Sequence, residues 1–171
     1  MDTHRLSLVE IAREHCMNPG LIHYIHGESH WDRTMALAGM IQAHHREADL
    51  GMVLCGACFH DIGRIDDGPD AEHGFRAARA ALVAANLTAR EMPELLPASR
   101  SEHDVWKGKL LEIIFHHCDY GPGTFLEMQI VKDADKLDRF RLSPQGPDPD
   151  RLALETSRNL MDTARKLARR E

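Results

Sequence analysis

Apolar side chains return at intervals of three and four along nearly the whole chain, the spacing that gathers them on one face of a helix. No stretch alternates apolar and polar residues with the period of two that a half-buried strand needs, and no Asn-Gly or Asp-Gly pair joins two such runs. The pattern predicts an all-α fold. A first helix is expected over Ser7 to Met17, stopped by Asn18-Pro19-Gly20. A second, Glu28 to Ala48, sets His30, Arg33, Leu37, Met40, Ile41 and His44 on one face. A third, Asp49 to Ile62, is nearly all apolar and ends in the polar stretch Gly63 to Asp70. An alanine-rich fourth covers Ala71 to Asn86, and Thr88 to Ser101, with Pro93 and Pro97, reads as a connector holding at most one short helix. The fifth, Glu102 to Cys118, carries Trp106, Leu110, Ile113 and His117 as a stripe with His116 beside it. The sixth, Thr124 to Leu142, aligns Met128, Val131, Asp135 and Asp138. A Pro/Gly/Asp linker, Ser143 to Asp150, precedes a last amphipathic helix over residues 150–170. Repeats are absent, so one compact multi-helix bundle over residues 1–171 is expected.

Composition narrows the function. With 171 residues and 43% apolar content the chain can bury a real core. A formal net charge of −6 disfavours duplex nucleic acid, whose non-specific affinity comes from Lys and Arg on phosphates. The longest near-apolar run, Gly51 to Phe59, is far short of the roughly 18 residues of a membrane span. Met1-Asp2-Thr3-His4-Arg5 lacks the regions of a signal peptide, so a cytoplasmic location is expected. Cys55-x-x-Cys58 has no second close pair, and it reads as a buried helix using Cys as a small hydrophobe rather than as a zinc or redox motif. Twelve histidines, more than the nine aromatics, are the unusual count.

Their placement is more informative than their number. His30 lies on an apolar helix face, His60-Asp61 closes the most apolar helix, His73 opens the next, His116-His117 closes the fifth and Asp135 faces inward on the sixth. Polar groups at core positions are costly unless paired or bound to metal, and bundles build metal sites from imidazoles and carboxylates on facing helices. The sequence resembles the HD superfamily of metal-dependent phosphohydrolases. The resemblance rests on His30-x-x-Arg33, His60-Asp61-Ile-Gly-Arg64, Glu72-His73-Gly-Phe-Arg-Ala-Ala78, Ile114-Phe-His116-His117 and Val131-Lys-Asp-Ala-Asp135-Lys-Leu-Asp138, in that order over residues 20–142. It implies that His30, His60, Asp61 and Asp135 ligate one metal. In members with two ions, Asp61 would bridge and the positions matching His73 and His116 would hold the second, with His117 near the metal or the substrate.

The expected chemistry is hydrolysis of a phosphate ester or anhydride, in a nucleotide or another small phosphorylated metabolite. A divalent ion lowers the pKa of bound water toward about 7 and neutralises phosphate charge. Imidazole-rich ligands suit Mn, Fe, Co, Ni or Zn, as one or two ions. Asp61, His116, His117, Arg64 and Lys136 are the candidate catalytic groups, and Arg33, Arg64, Lys136 and His117 the candidate substrate contacts. Arg33 has a second reading, as the partner of a core carboxylate. Asp138 is read as orienting a ligand. Two alternatives stay open: a di-iron oxygenase on the same fold, and a nucleotide-binding regulatory domain without turnover. A homodimer through the last helix is likewise left open, and no membrane partner is expected.

Overall fold

The structure, a computed structural model, describes residues 2–20, 24–119 and 121–169. The end of the last expected helix, residue 170, falls outside what it describes. Among the described residues eight α-helices and no strand form the fold: α1 (Asp2–His15), α2 (Glu28–Gln42), α3 (Leu50–Phe59), α4 (His73–Glu91), α5 (His103–His116), α6 (Leu126–Leu137), α7 (Glu155–Asn159) and α8 (Met161–Leu167). None of them is long and apolar enough to cross a membrane.

The apolar run of α3 has a simple cause. Every residue from Gly51 to Phe59 is buried, because α2, α5 and α6 pack around this helix and α4 closes on its end. A helix covered on all sides needs no polar face. Cys55 and Cys58 are accordingly core residues, free of any disulfide. Asp49 starts α3 by accepting from the Met52 amide at 2.8 Å, a cap worth about 1 kcal/mol. Its other oxygen accepts from Trp106 Nε1 at 3.1 Å and ties α5 to the same point.

Several boundaries differ from the sequence reading. Helix α2 ends at Gln42, six residues early, and Met40 and His44 are exposed. The polar run His44-His45-Arg46-Glu47 has no core to enter, so the chain turns through bonds from His45 N to Gln42 O and Ala48 N to His45 O, which releases Asp49 to cap α3. Helix α4 continues past Asn86 to Glu91, with Thr88 buried and its hydroxyl donating to Ala84 O at 3.0 Å, and stops just before Pro93. Two 3₁₀ turns, Pro93–Leu95 and Arg100–Glu102, occupy the connector. Helix α6 tightens at Leu137 into a 3₁₀ turn, Asp138–Arg141. The last helix is divided at Leu160 into α7 and α8, which pack on α6 and on that turn.

Candidate metal centre

Four helix ends and one helix face converge at one side of the bundle. His30 comes from the first turn of α2, His60 and Asp61 from the turn that ends α3, His73 from the start of α4, His117 from the end of α5 and Asp135 from the inner face of α6. Each imidazole is oriented through Nδ1. His60 Nδ1 donates to Ala57 O at 2.9 Å, His117 Nδ1 to Ile114 O at 2.7 Å, and His73 Nδ1 to Asp70 O. His30 Nδ1 donates to Asp138 Oδ2 at 2.7 Å. Carbonyl and carboxylate oxygens only accept, so Nδ1 carries hydrogen in all four rings and Nε2 turns inward with its lone pair.

Those inward atoms fall into two adjoining groups. In one, His30 Nε2 and His60 Nε2 stand 3.0 Å apart. Asp61 Oδ2 lies 3.5 and 3.6 Å from them, and Asp135 Oδ1 3.5 and 3.7 Å. In the other, His73 Nε2 and His117 Nε2 are 2.9 Å apart, and Asp61 Oδ1 is 3.2 and 3.5 Å away. The Asp61 carboxylate thus gives one oxygen to each group. Metal bonds of about 2.0 to 2.3 Å at tetrahedral angles separate donor atoms by about 3.3 to 3.7 Å, and both groups are near that size. Two pairs of facing lone pairs repel unless a cation lies between them, and this donor chemistry fits a divalent ion.

The surroundings tune the basicity of each of these groups. Burial lowers the basicity of His73, but hydrogen bonds to Asp61 and Cys118 outweigh it and raise its pKa to about 9. His117 rises in the same way, and His30 rises through Asp138 and Asp61 against the same burial. For His60 burial prevails and lowers it. Burial pushes the Asp61 carboxyl up, yet His60, His117, His26 and His30 hold it far below the ordinary range. Asp135 behaves alike through His60. Metal binding at such a cluster displaces protons.

One expected ligand stands elsewhere. His116 is 46% exposed at the side chain and bonds Asp119 Oδ2 at 2.6 Å, whereas His117 is 1% exposed and faces Asp61. The reason is helical register: His117 continues the buried stripe of Trp106, Leu110 and Ile113, and His116 falls on the solvent side with Glu112. The catalytic and metal roles expected of His116 are therefore corrected, and His117 occupies that place. Arg33 is a second correction, because its buried Nε donates to Asp138 Oδ1 at 2.7 Å instead of reaching for substrate. Arg141 Nη1 donates to the Asp138 backbone carbonyl at 3.2 Å and forms an ion pair with Asp138 Oδ2 at 3.0 Å, so a buried carboxylate flanked by two arginines aims His30.

Arg64 Nε donates to Asp61 Oδ1 at 3.1 Å, and Lys136 Nζ to Arg151 O at 2.7 Å on the cavity wall. The cluster opens into a cavity of about 740 Å³, where Lys136, Arg139, Arg151 and Arg158 face Asp135, His117 and Cys118. A second recess of about 310 Å³ adds Arg64 and Arg141. Three participants were not expected. His26 Nδ1 donates to Asp61 Oδ2 at 2.9 Å; its spacing of four from His30 was a signal, but it sits ahead of the helix. Arg141 lies in the turn after α6 and gave no pattern. Cys118 Sγ is 3.2 Å from His73 Nε2 and 3.0 Å from His117 Nε2. Burial raises that thiol, but the two imidazoles bring it down to about 7.

The family pattern described as HD domain matches residues 27–139 of this chain, a span that contains His30, His60, Asp61, His73, His117 and Asp135. No curated protein and no solved structure matches the chain.

Proposed function

The chain belongs to the HD domain family, and from that premise we propose that it is a metal-dependent phosphohydrolase acting on a nucleotide or a comparably small phosphorylated metabolite. The observation that carries this reading is the pair of facing Nε2 couples, His30 with His60 and His73 with His117, bridged by the two oxygens of Asp61. A divalent ion held there supplies Lewis acidity, making water a nucleophile at neutral pH and neutralising phosphoryl charge.

The chain's own residues prepare that reaction. Asp61 presents both oxygens, held in place by His26 on one side and Arg64 on the other. Asp138 and the carbonyls of Ala57, Asp70 and Ile114 hold the imidazoles as neutral Nε2 donors. Lys136 and Arg139 line the cavity beside Asp135, in place to take phosphate oxygens. The cavity volume is in the range of small-molecule sites, and its lining carries four cations alongside four carboxylates, Asp119, Asp135, Asp148 and Asp150, so the excess positive charge for a compact anion would come from the bound ion.

A Mn-, Co- or Ni-supplemented screen of nucleotides and sugar phosphates tests the reading. Wild-type protein is expected to release phosphate from at least one of them, and Asp61→Ala to lose both bound metal and turnover while keeping its helical circular-dichroism spectrum. Full activity in Asp61→Ala overturns the mechanism. Iron-loaded protein that consumes dioxygen with substrate and cleaves no phosphate bond would establish the oxygenase instead.

A further inference from the structure

We propose that Cys118 is a thiolate ligand of the second metal position, so that one ion is held by nitrogen and oxygen alone and its neighbour by His73, His117, Asp61 Oδ1 and sulfur. The inference rests on the reading of this cluster as a metal centre and adds a ligand of a different chemical class to it.

The geometry points to the thiol from two directions. Sγ lies 3.2 Å from His73 Nε2 and 3.0 Å from His117 Nε2, and those nitrogens are 2.9 Å from each other. The three atoms form a nearly equilateral face. Both nitrogens have their hydrogens committed at Nδ1, so two Nε2 lone pairs and the sulfur converge on one point, and the single thiol hydrogen can satisfy only one of the two nitrogens. Such a face is what a metal ion needs.

The turn bearing Cys118 is also fixed. Lys132, only 3% exposed, extends Nζ to His116 O at 3.3 Å and to Asp119 O at 2.9 Å, the carbonyls that bracket His117 and Cys118. The Asp119 amide closes the turn on His116 O at 3.1 Å. A buried ammonium used on two backbone carbonyls holds the sulfur against the imidazoles. By contrast, Cys55 and Cys58 lie inside the core and reach no such group, and Cys16 donates to Asn18 O.

The consequence is selectivity. Thiolate favours Zn(II), Co(II) or Fe(II) over the harder Mn(II) and Mg(II), so the two positions should differ in metal preference. On binding, the Cys118 proton passes to solvent as the sulfur–metal bond forms, with no change of oxidation state.

Cobalt reports this without any assay of turnover. Metal-free wild-type protein titrated with Co(II) should develop an intense near-ultraviolet thiolate-to-cobalt charge-transfer band as the second equivalent binds, alongside the visible d–d bands. Cys118→Ser should keep the d–d bands and lose the charge-transfer band. In competition, the Zn(II)-over-Mn(II) preference of the second position should fall at least tenfold in that variant. Two bound Co(II) ions in wild type without the charge-transfer band would overturn the sulfur ligand and leave the metal centre standing. Absence of any Co(II) binding overturns both, and is seen before the variant is made.

Discussion

At the scale of single residues, one position decides which face of α5 meets the metal centre. His116 and His117 are adjacent in sequence and about 100° apart on the helix. The apolar stripe through Trp106, Leu110 and Ile113 leads to His117, and the resemblance-based assignment to His116 gives way to that register. The expected measurement follows. His117→Ala should lower metal content from two ions per chain toward one, and His116→Ala should leave it unchanged; the reverse result, by elemental analysis of protein loaded with Co(II) or Zn(II), would restore the original assignment. Thiol accessibility gives a second residue-scale check. Cys118 is exposed, while Cys16, Cys55 and Cys58 are buried. Metal-free native protein should titrate one thiol rapidly with a disulfide reagent, and the other three only after denaturation.

At the scale of elements, the boundaries of the site were legible and the boundaries of the helices less so. Burial on all sides explains why α3 is recognisable, and the periodic stripes of α5 and α6 put Ile113 and Val131 on buried faces and Asp135, partly exposed, toward His30 and His60. Helix α2 was overextended because local spacing at Met40 and His44 cannot show that the core has already ended. His26 and Arg141 were hidden for a related reason: both lie in turns, where no period exists to assign a side chain to a face. How closely elements approach is also invisible in the pattern, and Gly63 shows it. A Cβ there would stand 2.1 Å from Ala77 N and 2.6 Å from His73 O, so α4 can seat on the end of α3 only against a bare glycine. That contact brings His73 to Asp61. Gly63→Ala should destabilise the fold by about 1–3 kcal/mol, as overpacking does, and weaken metal binding at the second position. Gly108, within α5, has nothing within 4 Å of its missing Cβ. Gly108→Ala should therefore stabilise by about 0.5–1 kcal/mol through helix propensity, so paired thermal melts distinguish a packing glycine from a merely tolerated one.

At the scale of the whole molecule, the segment after Ser143 turns an exposed cluster into a cavity. Arg151, Leu152, Ala153 and Arg158 form one wall of it, facing the metal centre. The sequence marked this stretch only as a linker and a terminal helix, because nothing local reveals which surface a tail will cover. What secures it is one buried side chain of α6. Asp133, fully buried, accepts from the Ala153 amide through Oδ1 at 2.9 Å and from the Leu154 amide through Oδ2 at 2.9 Å. The same carboxylate stands 3.5 Å from Lys136 Nζ, so it also sets a cation of the cavity. Hydrogen bonds to a charged group contribute about 1.5–3 kcal/mol, and removing this acceptor leaves two amides without a partner. Asp133→Ala should therefore open the segment locally without unfolding the core, since α3 makes its contacts elsewhere. Hydrogen exchange at Ala153 and Leu154 should accelerate at least tenfold while α3 amides keep their protection. Turnover should show a raised KM with a smaller change in kcat if the proposed substrate occupies this cavity, because the wall is displaced and the six converging residues are untouched. Asp133→Asn retains one acceptor oxygen and should restore one amide of the two, which separates loss of the clamp from loss of charge. Unchanged exchange at both amides in Asp133→Ala would show that packing of α7 and α8 on α6 alone holds the wall in place.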